Sequence, residues 1–178
     1  MTHIRIAGIL LLTLLFTFSL SVPARAADQL DKEALDTIAL FKSVDPGLTK
    51  FFDSSAGYAV FPKITKGAIG IGGAHGKGIV YEARKKIGEA SLSQGTIGFQ
   101  LGGQVYSEVI FFENKIGLES FKQSKMQISA QVSAVAAAEG VSENAKYELG
   151  VAVFTLARNG LMFEASIGGQ KFKFTPTR

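Results

Sequence analysis

The sequence predicts an α+β domain in which N-terminal helices pack on an antiparallel, glycine-rich β-sheet curled into a barrel or a two-layer sandwich. Three observations carry this expectation. Apolar residues between Asp28 and Asp53 recur at helical spacing, whereas from Tyr58 onward they recur with period two. Turn signals such as Asn159-Gly160 and Gly168-Gly169 separate the later runs at short intervals, which favours hairpins. Gly67, Gly70, Gly72, Gly73, Gly76 and Gly78 fall inside one strand pattern, where each glycine sacrifices backbone entropy and packs no side chain. Such a run requires compensation, either by a backbone or a bulky ring such as Phe61 or Tyr81 lying on the strand, or by a ligand filling the same room.

Residues 1–26 read as a secretory signal and stand outside the domain. Arg5 precedes an apolar run from Ile6 to Leu20, and Ala24-Arg25-Ala26 forms an Ala-x-Ala site that predicts cleavage between Ala26 and Ala27. The expected mature chain, 27–178, suits one domain. Its expected location is periplasmic or secreted. Without Arg5 and Arg25 it carries 17 basic against 15 acidic side chains, so nucleic acid is not an expected partner. Cysteine is absent, which excludes disulfides, thiolate metal sites and a thiol nucleophile.

In chain order, Asp28 is the expected cap of a helix whose apolar positions are Leu30, Ala34, Ile38 and Phe41, ending near Val44. Asp45-Pro46 starts a second, short helix to about Asp53, burying Leu48, Phe51 and Phe52. Tyr58 to Phe61 is a strand that Pro62 should stop. The glycine strand follows, with a tight turn at His75-Gly76 and Ile79 to Ala83 as its hairpin partner. Ile87 to Leu92 is a further strand, and Thr96 to Phe112 is one bent strand or two, the bend falling at Gly102-Gly103. Asn114 caps a short helix to Lys122 with Ile116, Leu118 and Phe121 apolar. Met126 to Ala134 alternates cleanly enough for a strand with one wet face. After a loop around Gly140, strands run from Tyr147 to Ala157, Leu161 to Ile167 and Lys171 to Thr175, with Phe172 and Phe174 on one face.

These residues resemble a known family. Ala56-Gly57-Tyr58-Ala59-Val60-Phe61-Pro62 is similar to the opening signature of the SYLF lipid-binding domains, also described as a yeast-type actin-binding domain. Gly70-Ile71-Gly72-Gly73 with Gly76-Lys77-Gly78 resembles the second block, and Gly98 to Gln104 the third; coverage is about Ala34 to Ile167. The resemblance implies binding of membrane lipid, with actin binding in some fungal members. The acidic start of the first helix and the tail from Gly168 to Phe174 depart from the family pattern.

Catalytic chemistry finds little support. His75 is the one histidine of the expected mature chain, so multi-histidine zinc sites and a Ser-His-Asp triad have no basis, and neither a metal nor a cofactor is expected. Gly76-Lys77 resembles the end of a phosphate loop but lacks the first glycine and the following hydroxyl. Glu82, Glu108 and Glu164 are the carboxylates nearest the strands, expected as solvated strand-end groups rather than a catalytic pair. From Lys63 to Lys86 there are six basic residues against Glu82 alone. Lys63, Lys66, Arg84, Lys85 and Lys86 are expected to meet at the open end of the first hairpin and contact anionic phospholipid headgroups, with Lys77 at the other end. The motif glycines of that reading are Gly57, Gly70, Gly72, Gly73, Gly76 and Gly78. A second expectation is an envelope protein that binds a protein partner by adding a strand to an exposed edge. A small outer-membrane barrel is disfavoured by the leading helices and the lack of tryptophan.

Overall fold

The computed structural model describes residues 22–69, 71–97, 102–128, 134–157 and 169–177. Helix α1 spans Val22–Val44 and buries Ala34, Thr37 and Phe41, one turn apart on one face. Because it begins at Val22, Asp28 lies inside the helix and does not cap it. A single 3-10 turn, Pro46–Leu48, leads into α2, Thr49–Ser54. Here the expected start signal is made: Asp45 is extended, its Oδ1 accepts from the Gly47 amide at 3.1 Å, and Pro46 takes the first position. Leu48, Phe51 and Phe52 are buried.

Eight strands form one sheet. They are β1 (Gly57–Ile69), β2 (Ile71–Glu82), β3 (Lys85–Ile97), β4 (Gly102–Phe112), β5 (Gln127–Ile128), β6 (Ala134–Ala136), β7 (Val151–Ala157) and β8 (Gln170–Pro176). Their order is β5-β8-β3-β2-β1-β4-β7-β6, antiparallel except for the parallel pair β6 and β7. Helix α3, Lys115–Lys122, follows β4 and is capped by Asn114, whose side chain accepts from the Gly117 amide. The sheet is strongly curled. β8 and β4 stand four strand spacings apart, roughly 19 Å if flat, yet Gln170 Nε2 of β8 donates to Glu108 Oε2 of β4 at 3.1 Å.

Curling gives the sheet two cores. On the concave side Ala59, Phe61, Ile64, Leu92, Ile110, Phe112 and Phe172 pack together under α3, whose Phe121 ring lies 5.0 Å from both Phe112 and Phe172. On the convex side α1 and α2 cover Tyr58, Val60, Tyr81, Val109, Phe111 and Phe154, with the Phe52 ring 4.8 Å from Phe111. The expected class of fold, helices on a curled and mainly antiparallel sheet, is the one observed.

Several local expectations fail for identifiable reasons. β1 does not stop at Pro62. The register shifts there against both neighbours, so the residue without a donor sits on a bulge, and Ser107 Oγ donates to its carbonyl at 2.7 Å. The chain reverses where Ile69 pairs with Ile71, not at His75-Gly76; His75 lies mid-strand between Thr65 and Ser93. The next reversal is at Ala83-Arg84, where both residues adopt left-handed φ values of 48° and 64°. Non-glycine residues rarely do so, and nothing in their identity announces a turn. The run from Thr96 to Phe112 does divide between two strands, as one of its alternatives had it, with β3 ending at Ile97 and Gly102 and Gly103 opening β4 opposite Ala68 and Gly67. Of the apolar residues of α3, Leu118 and Phe121 are buried and Ile116 is 82% exposed. β7 starts at Val151, after a tight turn with positive φ at Leu149 and Gly150, and not at Tyr147. Of the alternating stretch from Met126 to Ala134, Gln127–Ile128 belongs to β5 and Ala134 opens β6. Residues 1–21 of the expected signal, Gly70, Gly98 to Leu101, residues 129–133, Asn159-Gly160, Gly168 and the strand expected from Leu161 to Ile167 lie outside the described residues.

Candidate functional site

The glycines of β2 divide by face. Gly72, Gly76 and Gly78 are buried and share the concave side with Ala74 and Val80. A Cβ at Gly78 would stand 2.7 Å from Phe61 Cδ1 and 2.4 Å from the Val60 carbonyl oxygen; one at Gly76 would stand 2.8 Å from Ile64 Cγ1. A ring does lie on the strand, and it is Phe61, since the Tyr81 ring turns to the convex side and stacks on Tyr58 at 5.0 Å. Gly57 admits Leu118 of α3 and the Tyr81 carbonyl in the same way. Gly73 is exposed on the convex side.

The five basic residues expected at one end of the hairpin do not converge. Gly57 pairs with Glu82, so Arg84, Lys85 and Lys86 sit beside the start of β1, while Lys63 is six residues further along, roughly 20 Å away. Lys66 has the concave parity of Ile64 and points to the other side of the sheet from Lys63. Arg84 is also paired with Asp53 at 3.2 Å, and Lys86 with Asp31.

Register assembles a different group. Lys63 stands directly opposite Lys77, Lys77 opposite Ser91, and Ser91 opposite Lys173. In the next row Thr65, His75, Ser93 and Lys171 follow one another across the same four strands. One row further, Gly103, Gly67, Gly73 and Gly95 run across β4, β1, β2 and β3. All three rows are on the convex side, with Lys63 and Lys77 at the margin of α1, and all four lysines are exposed. Among the described residues none of Lys63, Lys77, Lys171 and Lys173 makes an ion pair. Glu33 of α1 and Glu89 share with Lys63 and Lys77 a cleft of about 560 Å³ under the first turns of the helix. The alternation Lys171-Phe172-Lys173-Phe174 was the available signal for the β8 lysines; the Lys63 and Lys77 pairing had none, because it depends on register.

A second group lies inside the curl. Tyr106, Glu108, Thr155 and Gln170 are at most 1% exposed. Glu108 is the reverse of a solvated strand-end carboxylate: it faces the concave core, Thr155 is its partner across β4 and β7, and Tyr106 is two residues along. Burial pushes its carboxyl up to about 7, with the hydrogen bond from Gln170 opposing. Burial also raises the Tyr106 phenol, assisted by Glu108. Among the described residues four oxygens here make no well-formed hydrogen bond, Glu108 Oε1, Tyr106 Oη, Thr155 Oγ1 and Gln170 Oε1, although the Gln170 side chain lies near enough to Tyr106 to oppose the rise of its phenol. Glu82 is half-buried, 3.8 Å from Lys122, and lies four residues along β1 from the level of Glu108, so these two carboxylates do not pair; Glu164 is outside the described residues.

Comparison with known proteins agrees with the fold. The profile of the Ysc84 family, described as a Las17-binding protein actin regulator, matches residues 93–176. Beta cell expansion factor A of Aeromonas veronii is 30% identical over 141 residues, covering 76% of this chain. The chain carries a domain of the Ysc84, or SYLF, family. The matched segment contains β4 to β8 and α3, hence Glu108, Thr155, Gln170, Lys171 and Lys173, whereas Lys63 and Lys77 precede it. The chain spans about half, 51%, of the length of the curated Aeromonas relative.

Proposed function

We propose that this protein is a non-enzymatic, membrane-associating domain of the cell envelope that meets anionic phospholipid headgroups with the exposed half of its convex sheet face. The observation that carries the reading is the pair of rows holding Lys63, Lys77, Lys171 and Lys173, exposed and without ion-pair partners among the described residues. Like charges directly opposite across strands destabilise a sheet, and an anion laid over Lys63 and Lys77 relieves that repulsion. Each basic side chain near an anionic surface contributes about 1 kcal/mol. The neighbouring row of Gly67, Gly73, Gly95 and Gly103 raises no side chain to hold a flat surface away. Lys85 adds an exposed charge at the far end, and Arg84, Lys86 and Lys66 are secondary, the first two being paired with aspartates and the third facing the other side. The signal-like residues 1–26 support export to the periplasm or beyond.

Strand addition by a protein partner has less to work with. The glycine-rich β1 and β2 are central in the described sheet, each paired on both sides, so they offer no free edge. Vesicle flotation tests the lipid reading. The protein should float with anionic vesicles at low salt, lose most of that binding at high salt, and lose it at low salt in Lys63→Glu/Lys77→Glu. Equal flotation with neutral vesicles, or unchanged flotation of the double variant, refutes it.

A further inference from the structure

We infer that Tyr106, Glu108, Thr155 and Gln170 form a binding site for one compact monovalent cation, whether sodium, potassium or a primary ammonium group. The inference stands on the concave core and is independent of membrane association. Four strand-borne side chains, each at most 1% exposed, carry four oxygens that make no well-formed hydrogen bond among the described residues, the Gln170 side chain coming nearest to Tyr106 Oη. Native interiors rarely leave even one such atom unpartnered, since each costs about 1–3 kcal/mol. The four side chains are neighbours, because Glu108 and Thr155 are direct cross-strand partners, Tyr106 is the next residue on that face of β4, and the Gln170 amide is bonded to Glu108.

The chemistry of the set selects the ligand. One carboxylate oxygen, one amide carbonyl oxygen and two hydroxyls are all hard oxygen acceptors, and together they carry a single negative charge. Calcium and magnesium call for more carboxylates than one, and no group of three or more His, Cys, Asp or Glu side chains suited to a metal occurs among the described residues. An anion would meet Glu108 with repulsion and find one amide already engaged. A singly charged cation cancels the buried charge and accepts all four oxygens, and the apolar surroundings of Phe61, Ile64, Ile110 and Phe172 strengthen that attraction. Among the described residues the other ionisable groups on this face of the neighbouring strands are Tyr106 itself and Lys66, which is diagonal to Tyr106 and half-exposed.

Thermal melts at pH 8.5 and constant ionic strength provide the test, with sodium, potassium or methylammonium chloride replacing tetramethylammonium chloride, whose cation is larger than the other three and donates no hydrogen bond. A small cation should raise Tm by roughly 5 °C at saturation, and the most effective of the three distinguishes a metal ion from an ammonium group. Glu108→Gln should abolish the response. Thr155→Val, which removes one oxygen and keeps the shape, should raise the midpoint of the cation titration at least threefold. A wild-type Tm that is the same in all four salts overturns the inference. So does a response that survives in Glu108→Gln, and if that variant does not fold, an unchanged midpoint in Thr155→Val does the same.

Discussion

At Gly78 the room for a side chain is already occupied. Its missing Cβ is the space in which the Phe61 ring and the Val60 carbonyl lie, so the residue is required by packing against β1. Gly78→Val should destabilise the protein by about 1–3 kcal/mol, the usual cost of forcing extra carbons into a filled core. Gly67, in contrast, has nothing within 4 Å of an added Cβ and faces solvent. Gly67→Ala should leave the thermal midpoint unchanged or slightly raised, since alanine restricts the unfolded chain more than glycine does. Melts of both variants check the contrast. A tolerated valine at position 78 would mean that Phe61 has somewhere else to go.

Between elements, Asp45 does more than cap its own turn. Its Oδ2 accepts from the Ser142 amide at 2.7 Å and its Oδ1 from the Ser142 hydroxyl at 2.9 Å, so a carboxylate after α1 holds the 3-10 turn Val141–Glu143 nearly a hundred residues later. Burial alone would raise its pKa; the bonds from Ser142, Gly47 and Gly140 outweigh that and hold it below 3.8. Asp45→Ala should cost about 2–3 kcal/mol, because buried donors lose a charged acceptor. The sign of the pH effect follows from the lowered value. Asp45 contributes stability at pH above 3.8, and that contribution is lost as pH falls through its folded-state value. Melts between pH 2 and 5 should therefore show a steeper acid loss in the wild type than in Asp45→Asn.

For the whole molecule, curling decides what Glu108 is. In a flat sheet it would be a strand residue with one wet face; rolled up, it meets Gln170 and loses water. A carboxyl raised from 4.5 to about 7 binds its proton more tightly folded than unfolded. Its stabilisation is complete below pH 4.5 and is lost as pH rises through about 7, a loss on the order of 3 kcal/mol in the absence of a bound cation. Glu108→Gln should flatten the stability profile between pH 4.5 and 7, measured by denaturant titration in tetramethylammonium salts. An equal slope in both proteins would show that Glu108 is not the titrating group.

The sequence by itself determined the class of fold, the leading helices followed by strands, the start at Asp45-Pro46, the Asn114 cap and the family. Those features depend on residues within a few positions of one another, as a cap or a period of two does, or on motif blocks that survive without knowledge of register. Only the tertiary structure decided where the chain reverses, which lysines stand together and that Glu108 is buried. Lys63 meets Lys77 through a register that shifts at the Pro62 bulge, and no local pattern contains that shift. From Glu108 to Phe112 β4 is buried on both faces, so the alternation that would mark the inside disappears. A glutamate in such a run reads as a strand-end charge until the curl of the sheet brings β8 round to meet it.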